Sequence, residues 1–163
     1  MRLGRFRRRR VPLPGYDAPS ERVGLRLAAL ESDFWQLRDG EQSAQQHPDT
    51  FDMPPRQLRD DLRRLDLVQL IFDIEGEDED GAVEVLGERM WVLVAERVGR
   101  NYIGVLASKP ALVDPSSNFY LRRGCEVLFA PEHAVRVEKA EAGARAARHL
   151  DREPTLRWPY CDN

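Results

Sequence analysis

Residues 88–94 read Glu88-Arg89-Met90-Trp91-Val92-Leu93-Val94, the most strongly β-like segment of this 163-residue chain. In an extended strand Met90 and Val92 share one face, whereas Trp91 and Leu93 share the other. Both faces are apolar, which is typical of a strand covered on both sides. The segment therefore predicts a central strand, which we expect to continue to residue 98.

Turns and further short strands follow on either side of this segment. Gly99-Arg100-Asn101 and Gly124 each predict a tight turn, and the polar residues 109–118 predict a loop. The predicted flanking strands cover residues 67–74, 83–85, 102–106, 126–129 and 131–137. This pattern indicates a compact β-unit in the second half of the chain.

Helical patterns occur before and after the strands. Ser20 is a plausible N-cap of a first helix, whose apolar stripe of Val23, Leu27, Leu30 and Phe34 has helical spacing. Gly40 either ends that helix or interrupts it. Pro55 suits the first turn of a second helix with a stripe of Leu58, Leu62 and Leu65. Residues 138–150 are alanine-rich and predict a C-terminal helix.

Together these patterns predict an α+β fold. Two N-terminal helices pack on a small bent antiparallel sheet or SH3-like partial barrel, and a C-terminal helix follows. The predicted organisation is a flexible arginine-rich arm over residues 1–19, a single domain over 20–137, and a C-terminal helix with an aromatic tail over 138–163.

Composition narrows the class of protein. Hydrophobic residues make up 42% of the chain and charged residues 33%, which is enough apolar material for a core. Cys125 and Cys161 are too few for a secreted disulfide scaffold, and no segment has the length and apolarity of a signal core or a membrane span. We therefore expect a cytoplasmic protein with no membrane contact. No motif calls for a cofactor or a metal ion.

Several segments, in order and spacing, resemble an uncharacterised bacterial domain of unknown function, the YegJ-like domain, over about residues 27–137. The matching segments are Phe51-x-x-Pro54-Pro55, residues 62–66, 68–72, 88–92 and 102–106, Leu121-x-x-Gly124, and Phe129-x-Pro131-Glu132-His133. The chain departs from the pattern at Leu65, where glycine is expected, and at Ala107, where Asn or Asp is expected. Some relatives look like immunity or accessory proteins, but the family supplies no activity to carry over. The hypothesis of a non-enzymatic protein-binding module rests on the lack of a catalytic constellation in the sequence, on the acidic segment 73–88 and on the aromatic tail.

Three residues are candidates for catalysis. Glu132 and His133 form a carboxylate–imidazole pair of the kind that serves as a general base in a small hydrolase. Cys125 follows two arginines, which lower the pKa of a nearby thiol. The alternative interpretation makes His133 a solvated or capping residue and Cys125 an ordinary half-buried cysteine, and the sequence favours that alternative.

Two groups of residues are candidates for binding a protein partner. The first is an acidic run, predicted to be an exposed, mobile hairpin connection: Glu75, Glu77, Asp78, Glu79 and Asp80. It lacks the ligand spacing of an EF-hand, so a solvated acidic surface facing a basic partner is the better interpretation. The second group is Trp158 and Tyr160 in the tail, since exposed aromatic side chains often anchor interfaces.

The N-terminal arginines suggest a different class of function. Arg5, Arg7, Arg8, Arg9 and Arg10 form a cluster of the kind that neutralises phosphates. Weak, salt-sensitive contact with nucleic acid is the resulting hypothesis, although a solvated arm is favoured over it. The three functional hypotheses are therefore a protein-binding module of unknown partner, a nucleic-acid-associated protein, and a small hydrolase.

Overall fold

The computed structural model describes residues 25–150, apart from the side chain of His149. The helices are α1 (Leu30–Asp33), α2 (Gly40–Gln46), α3 (Arg56–Asp60) and α4 (Ala140–Leu150), with a 3₁₀ turn at Pro131–His133. The strands are β1 (Trp35–Leu37), β2 (Leu67–Glu77), β3 (Val83–Val98), β4 (Asn101–Leu106), β5 (Glu126–Phe129) and β6 (Arg136–Glu138).

The strands form one curled antiparallel sheet, so the chain has the α+β half-barrel class of fold that its sequence predicts. The strand order is β1-β2-β3-β4-β5; β1 pairs with the middle of β2, at residues 72–74, and β6 pairs with its start, at residues 67–69. A bulge between Val94 and Glu96 shifts the β3–β4 register. Bulges bend the strand that carries them, which is consistent with the curl of the sheet.

Each face of β3 packs into a different core cluster. Met90 and Val92 join a large cluster with Trp35 and Phe72, whereas Leu93 joins a smaller cluster. The members of that smaller cluster are Leu65, Leu67, Leu93, Ala95, Val105, Ala147 and Leu150. Its last two residues belong to α4, which lies on this face of the sheet. The prediction of a central strand with two covered faces is therefore confirmed, and Trp91 is half-buried beside the smaller cluster.

The strands predicted at 102–106 and 126–129 are confirmed within one residue. The strand predicted at 83–85 is continuous with the central strand as β3, and the strand predicted at 67–74 extends to Glu77 as β2. The turn at Gly99 has a φ of 61° and that at Gly124 a φ of 92°, in the left-handed region that glycine adopts without strain. The last predicted strand is shorter than expected, because Pro131–His133 forms a 3₁₀ turn and only Arg136–Glu138 pairs with β2.

The first predicted helix is wrong over most of its described length. Residues 25–29 are not helical, and α1 covers one turn only. Phe34 ends α1 with a φ of 63° and is exposed, so it does not belong to a buried stripe. Trp35 instead enters the core, because β1 pairs with β2. Tertiary strand pairing outweighs the local helical spacing here.

Gly40 begins a helix instead of ending one. Asp39 caps α2, since the Gln42 backbone N–H donates to Asp39 Oδ1 at 3.0 Å. A side chain at position 40 would collide with Met53 and Val135, so the absence of a Cβ permits the close approach. The C-terminal helix is confirmed as α4. The second predicted helix is confirmed only in its first half, because α3 ends at Asp60 and includes Leu58 alone of the predicted stripe. Leu62 and Leu65 follow the helix and are buried in different core clusters, and Leu65 has a left-handed φ of 73°.

Candidate functional site

The β2–β3 hairpin extends beyond the rest of the sheet. β4 pairs with β3 only from Val92 onward, and β1 pairs with β2 no farther along than Ile74. We call residues 75–87, which form the outer part of this hairpin, the distal hairpin. All of its residues are exposed except Glu75, which is half-buried.

The acidic run is divided between strand and turn. Glu75 and Glu77 belong to β2, so the prediction that the whole run is a connection is wrong for them. Asp78 is a turn residue, because its Oδ1 accepts the backbone N–H groups of Asp80 at 2.9 Å and Ala82 at 2.8 Å. Its carboxylate therefore holds the turn together and is less available to a partner.

The distal hairpin also exposes apolar side chains, which the sequence argument missed. Val83 is 64% exposed, Val85 45% and Leu86 44%. Val83 and Val85 lie opposite Glu77 and Glu75, so apolar and acidic side chains share one face. The signal in the sequence was the Val83-x-Val85 alternation directly after the acidic run. This alternation predicted a strand, but it did not predict that the rest of the protein would leave both faces of the strand exposed.

Between Val83 and Trp91, every second residue of β3 directs its backbone N–H and C=O groups away from β2. The Trp91 N–H donates to Ser108 Oγ and its carbonyl accepts the Ala107 N–H, both at 2.8 Å, so the Trp91 backbone points to the β4 side. Backbone direction alternates along an antiparallel strand. The residues that share the Trp91 direction are Arg89, Gly87, Val85 and Val83.

We call the outward backbone groups of these four residues the open edge. Among residues 25–150, no hydrogen-bond partner lies on this side of them. An unpaired row of N–H and C=O groups is a template for another strand. The open edge therefore presents unpaired main-chain groups, and apolar and acidic side chains lie beside it.

Glu132 and His133 have separate partners in the structure. The Glu132 carboxylate pairs with Arg100, at 3.0 Å from its Nη2. The Ala130 backbone N–H donates to His133 Nδ1 at 2.9 Å, so His133 caps the 3₁₀ turn. Burial lowers the pKa of His133, and this outweighs the opposing effects of Glu132 and Asp39. His133 is thus a buried, neutral capping residue; the capping alternative agrees with the structure and the solvated one does not.

The environment of Cys125 disfavours the reactive thiolate. Its side chain is fully buried in the large core cluster, and this burial raises its pKa to about 12. The thiolate is the reactive form of cysteine, and it is scarce at neutral pH in such an environment. The idea that the neighbouring arginines activate Cys125 is therefore wrong, as is the expectation that it is only half-buried.

Several predicted residues lie outside the described part of the chain. These are Arg5, Arg7, Arg8, Arg9, Arg10, Trp158, Tyr160 and Cys161. Across residues 25–150, no group of three or more His, Cys, Asp or Glu side chains is placed to hold a metal ion. Within the same residues, no helix has the length and apolarity needed to cross a bilayer.

Neither a protein-family model, nor a curated protein, nor a solved structure matches this chain. The likeness to the YegJ-like domain therefore stays a prediction.

Proposed function

We propose that this chain is a protein-binding module whose distal hairpin takes up an extended, basic segment of a partner protein by strand addition. The observation that carries the proposal is the open edge, where Val83, Val85, Gly87 and Arg89 direct their backbone groups to solvent. A peptide added there extends the sheet and makes main-chain hydrogen bonds to β3.

Charge selects the kind of partner. Residues 75–87 contain six acidic side chains and no basic one. A strand with lysine or arginine at alternate positions meets carboxylates along the hairpin, whereas an acidic strand meets like charges. The same repulsion disfavours a second copy of this hairpin as the occupant.

The expected affinity is modest. The partial exposure of Val83, Val85 and Leu86 corresponds to roughly 1 kcal/mol of apolar burial for each side chain. Association itself costs about 4–15 kcal/mol, so these contacts alone do not hold a partner. Backbone hydrogen bonds of about 0.5–1.5 kcal/mol each, together with ion pairing, must supply the rest. We therefore expect binding in the micromolar to submillimolar range.

The test is an NMR titration of the full chain with a synthetic peptide of alternating lysine and valine. An acidic peptide of alternating glutamate and valine serves as the matched ligand. Saturable shifts confined to the amides of residues 83–89, seen with the basic peptide alone, support the proposal. Equal binding of both peptides, or shifts only elsewhere, contradicts it.

Two variants separate the backbone and charge contributions. Val85→Pro removes an N–H from the open edge without touching the β2 ladder, and we expect it to abolish binding. A triple variant with glutamine at Glu77, Glu79 and Glu84 should bind more weakly while keeping its fold. The control neutralises Asp49, Asp52 and Glu141, which are exposed acids outside the hairpin. If the control variant weakens peptide binding equally, the effect comes from the net charge of the protein and not from the acids of the hairpin.

A further inference from the structure

A separate cleft lies between the loop that follows β4 and the turn that precedes β5. It has a volume of about 350 Å³ and is lined by residues 109–110, 113–115, 117, 119 and 121–123. This volume falls within the range of about 300–1,000 Å³ that is typical of small-molecule sites. The cleft is thus large enough for a small organic ligand.

The cleft carries an excess of positive charge. Lys109, Arg122 and Arg123 line it, and Asp114 is the only acidic residue among its lining residues. The Asp114 carboxylate is engaged locally, since Oδ1 accepts both the backbone N–H and the hydroxyl of Ser116 at 2.8 Å. These hydrogen bonds also lower the pKa of Asp114. Asp114 is therefore an anion without an ion pair to these cations, and three cations against one anion leave the lining with a net positive charge.

The cations themselves have no carboxylate partner within the described part of the chain. Over residues 25–150, no ion pair involves Lys109, Arg122 or Arg123. Arg123 is half-buried and its Nε donates to the Ala107 carbonyl at 3.0 Å, which fixes the position of the guanidinium. A guanidinium held in this way offers its remaining N–H groups to an anion, and its fork geometry suits carboxylate and phosphate.

Apart from Ser117, the uncharged lining residues are apolar. Leu121 and Pro110 are buried, and Val113 and Phe119 are half-buried in the same cleft. An apolar wall beside unpaired cations is the pattern expected for a ligand with one charged end and one apolar end. Inorganic phosphate alone would leave that wall without a partner.

We infer that this cleft binds a small organic anion, with its carboxylate or phosphate group on Arg122, Arg123 and Lys109 and its apolar body against Phe119 and Val113. The site is distinct from the open edge of β3, and the inference does not depend on the proposed protein-binding role.

The test is an NMR titration of the full chain with four probes: phenyl phosphate, benzoate, inorganic phosphate and uncharged benzyl alcohol. We expect saturable shifts of the amides of residues 109–123 with phenyl phosphate or benzoate, at a dissociation constant of about 1 mM or lower. The stronger of these two probes identifies the charged group. Inorganic phosphate and benzyl alcohol should each bind at least about tenfold more weakly, a difference of about 1.4 kcal/mol.

Variants make the result specific. Lys109→Ala combined with Arg122→Ala should weaken the better probe about tenfold or more. Arg148→Ala, at an exposed arginine of α4 outside the cleft, should leave binding unchanged. The inference is overturned if neither organic anion saturates, if benzyl alcohol binds equally well, or if the double variant binds like the original chain. A spectrum with the shifts of a folded protein shows that each variant keeps its fold.

Discussion

The Glu88 carboxylate accepts the backbone N–H of Ala111 at 2.8 Å. Its other oxygen accepts the N–H of Leu112 at 3.1 Å. One side chain of β3 thereby anchors the loop that lines the cleft, directly beside the open edge. The strand edge and the cleft thus share one boundary, although their proposed ligands differ.

Glu88→Gln should loosen this loop. The substitution removes the negative charge and leaves one acceptor oxygen for two N–H donors, so we expect faster hydrogen exchange at the amides of Ala111 and Leu112. The loss in the free energy of unfolding should be about 1 kcal/mol or less, because Glu88 is only half-buried. Glu84→Gln is the matched control, because Glu84 lies four residues before Glu88 in β3 and on the same face. Unchanged exchange in Glu88→Gln would show that the carboxylate does not hold the loop.

Arg59 should be among the most sensitive polar positions in the chain. It is 5% exposed and donates to Glu41 Oε1 at 2.7 Å, to the Pro54 carbonyl at 2.9 Å and to the Pro131 carbonyl at 3.0 Å. Arg59→Met leaves both carbonyls without this donor, so we expect a loss of about 3 kcal/mol in urea unfolding.

Two comparisons make the Arg59 prediction specific. Arg59→Lys should recover only part of the loss, since one ammonium group does not reach three acceptors in the fork geometry of arginine. Arg56→Met removes an exposed arginine that also pairs with Glu41, and it should have a far smaller effect. If Arg56→Met and Arg59→Met lower the free energy of unfolding equally, the burial of Arg59 does not explain its sensitivity.

The stability of the fold should depend on the protonation of His133. Burial holds the pKa of His133 in the folded state below its ordinary value of 6.5, so the unfolded chain binds more protons as the pH falls below that value. The contribution of the neutral imidazole is therefore fully present above pH 6.5 and is lost as the pH falls toward the folded-state pKa. Urea unfolding from about pH 8 to about pH 5 measures this loss, and His133→Asn should show a smaller fall. If the original chain and His133→Asn lose stability identically as the pH falls, His133 is not the group responsible for the loss.

Gly143 allows α4 to approach the sheet. A Cβ at this position would lie 1.6 Å from the Leu65 carbonyl oxygen, which is backbone and cannot move aside cheaply. Gly143→Ala should therefore destabilise the fold by about 1–3 kcal/mol, although alanine favours a helix. Gly76→Ala has open space around it and serves as the control in the same thermal or urea unfolding experiment. A more stable Gly143→Ala protein would contradict this close packing.

The strands illustrate what local pattern determines. Residues 90–98 and 102–106 carry enough alternating or continuous apolar character to specify strands, and Gly99 specifies the turn between them. These properties reside in neighbouring residues, so they are visible without the fold. The acidic character of the distal hairpin is equally a property of the sequence.

Tertiary structure decided the burial of Trp35, the open edge and the cleft, because each of them depends on contacts between residues far apart in the chain. Trp35 enters the core only because β1 pairs with β2, about 40 residues later. The open edge exists only because β4 stops opposite Val92 while β3 continues outward. Likewise, Lys109 and Arg122 line one cleft only because the fold brings their loop and turn together. The sequence by itself determined the strands, the turns and the charge of the hairpin; long-range pairing decided which surfaces remain free to bind.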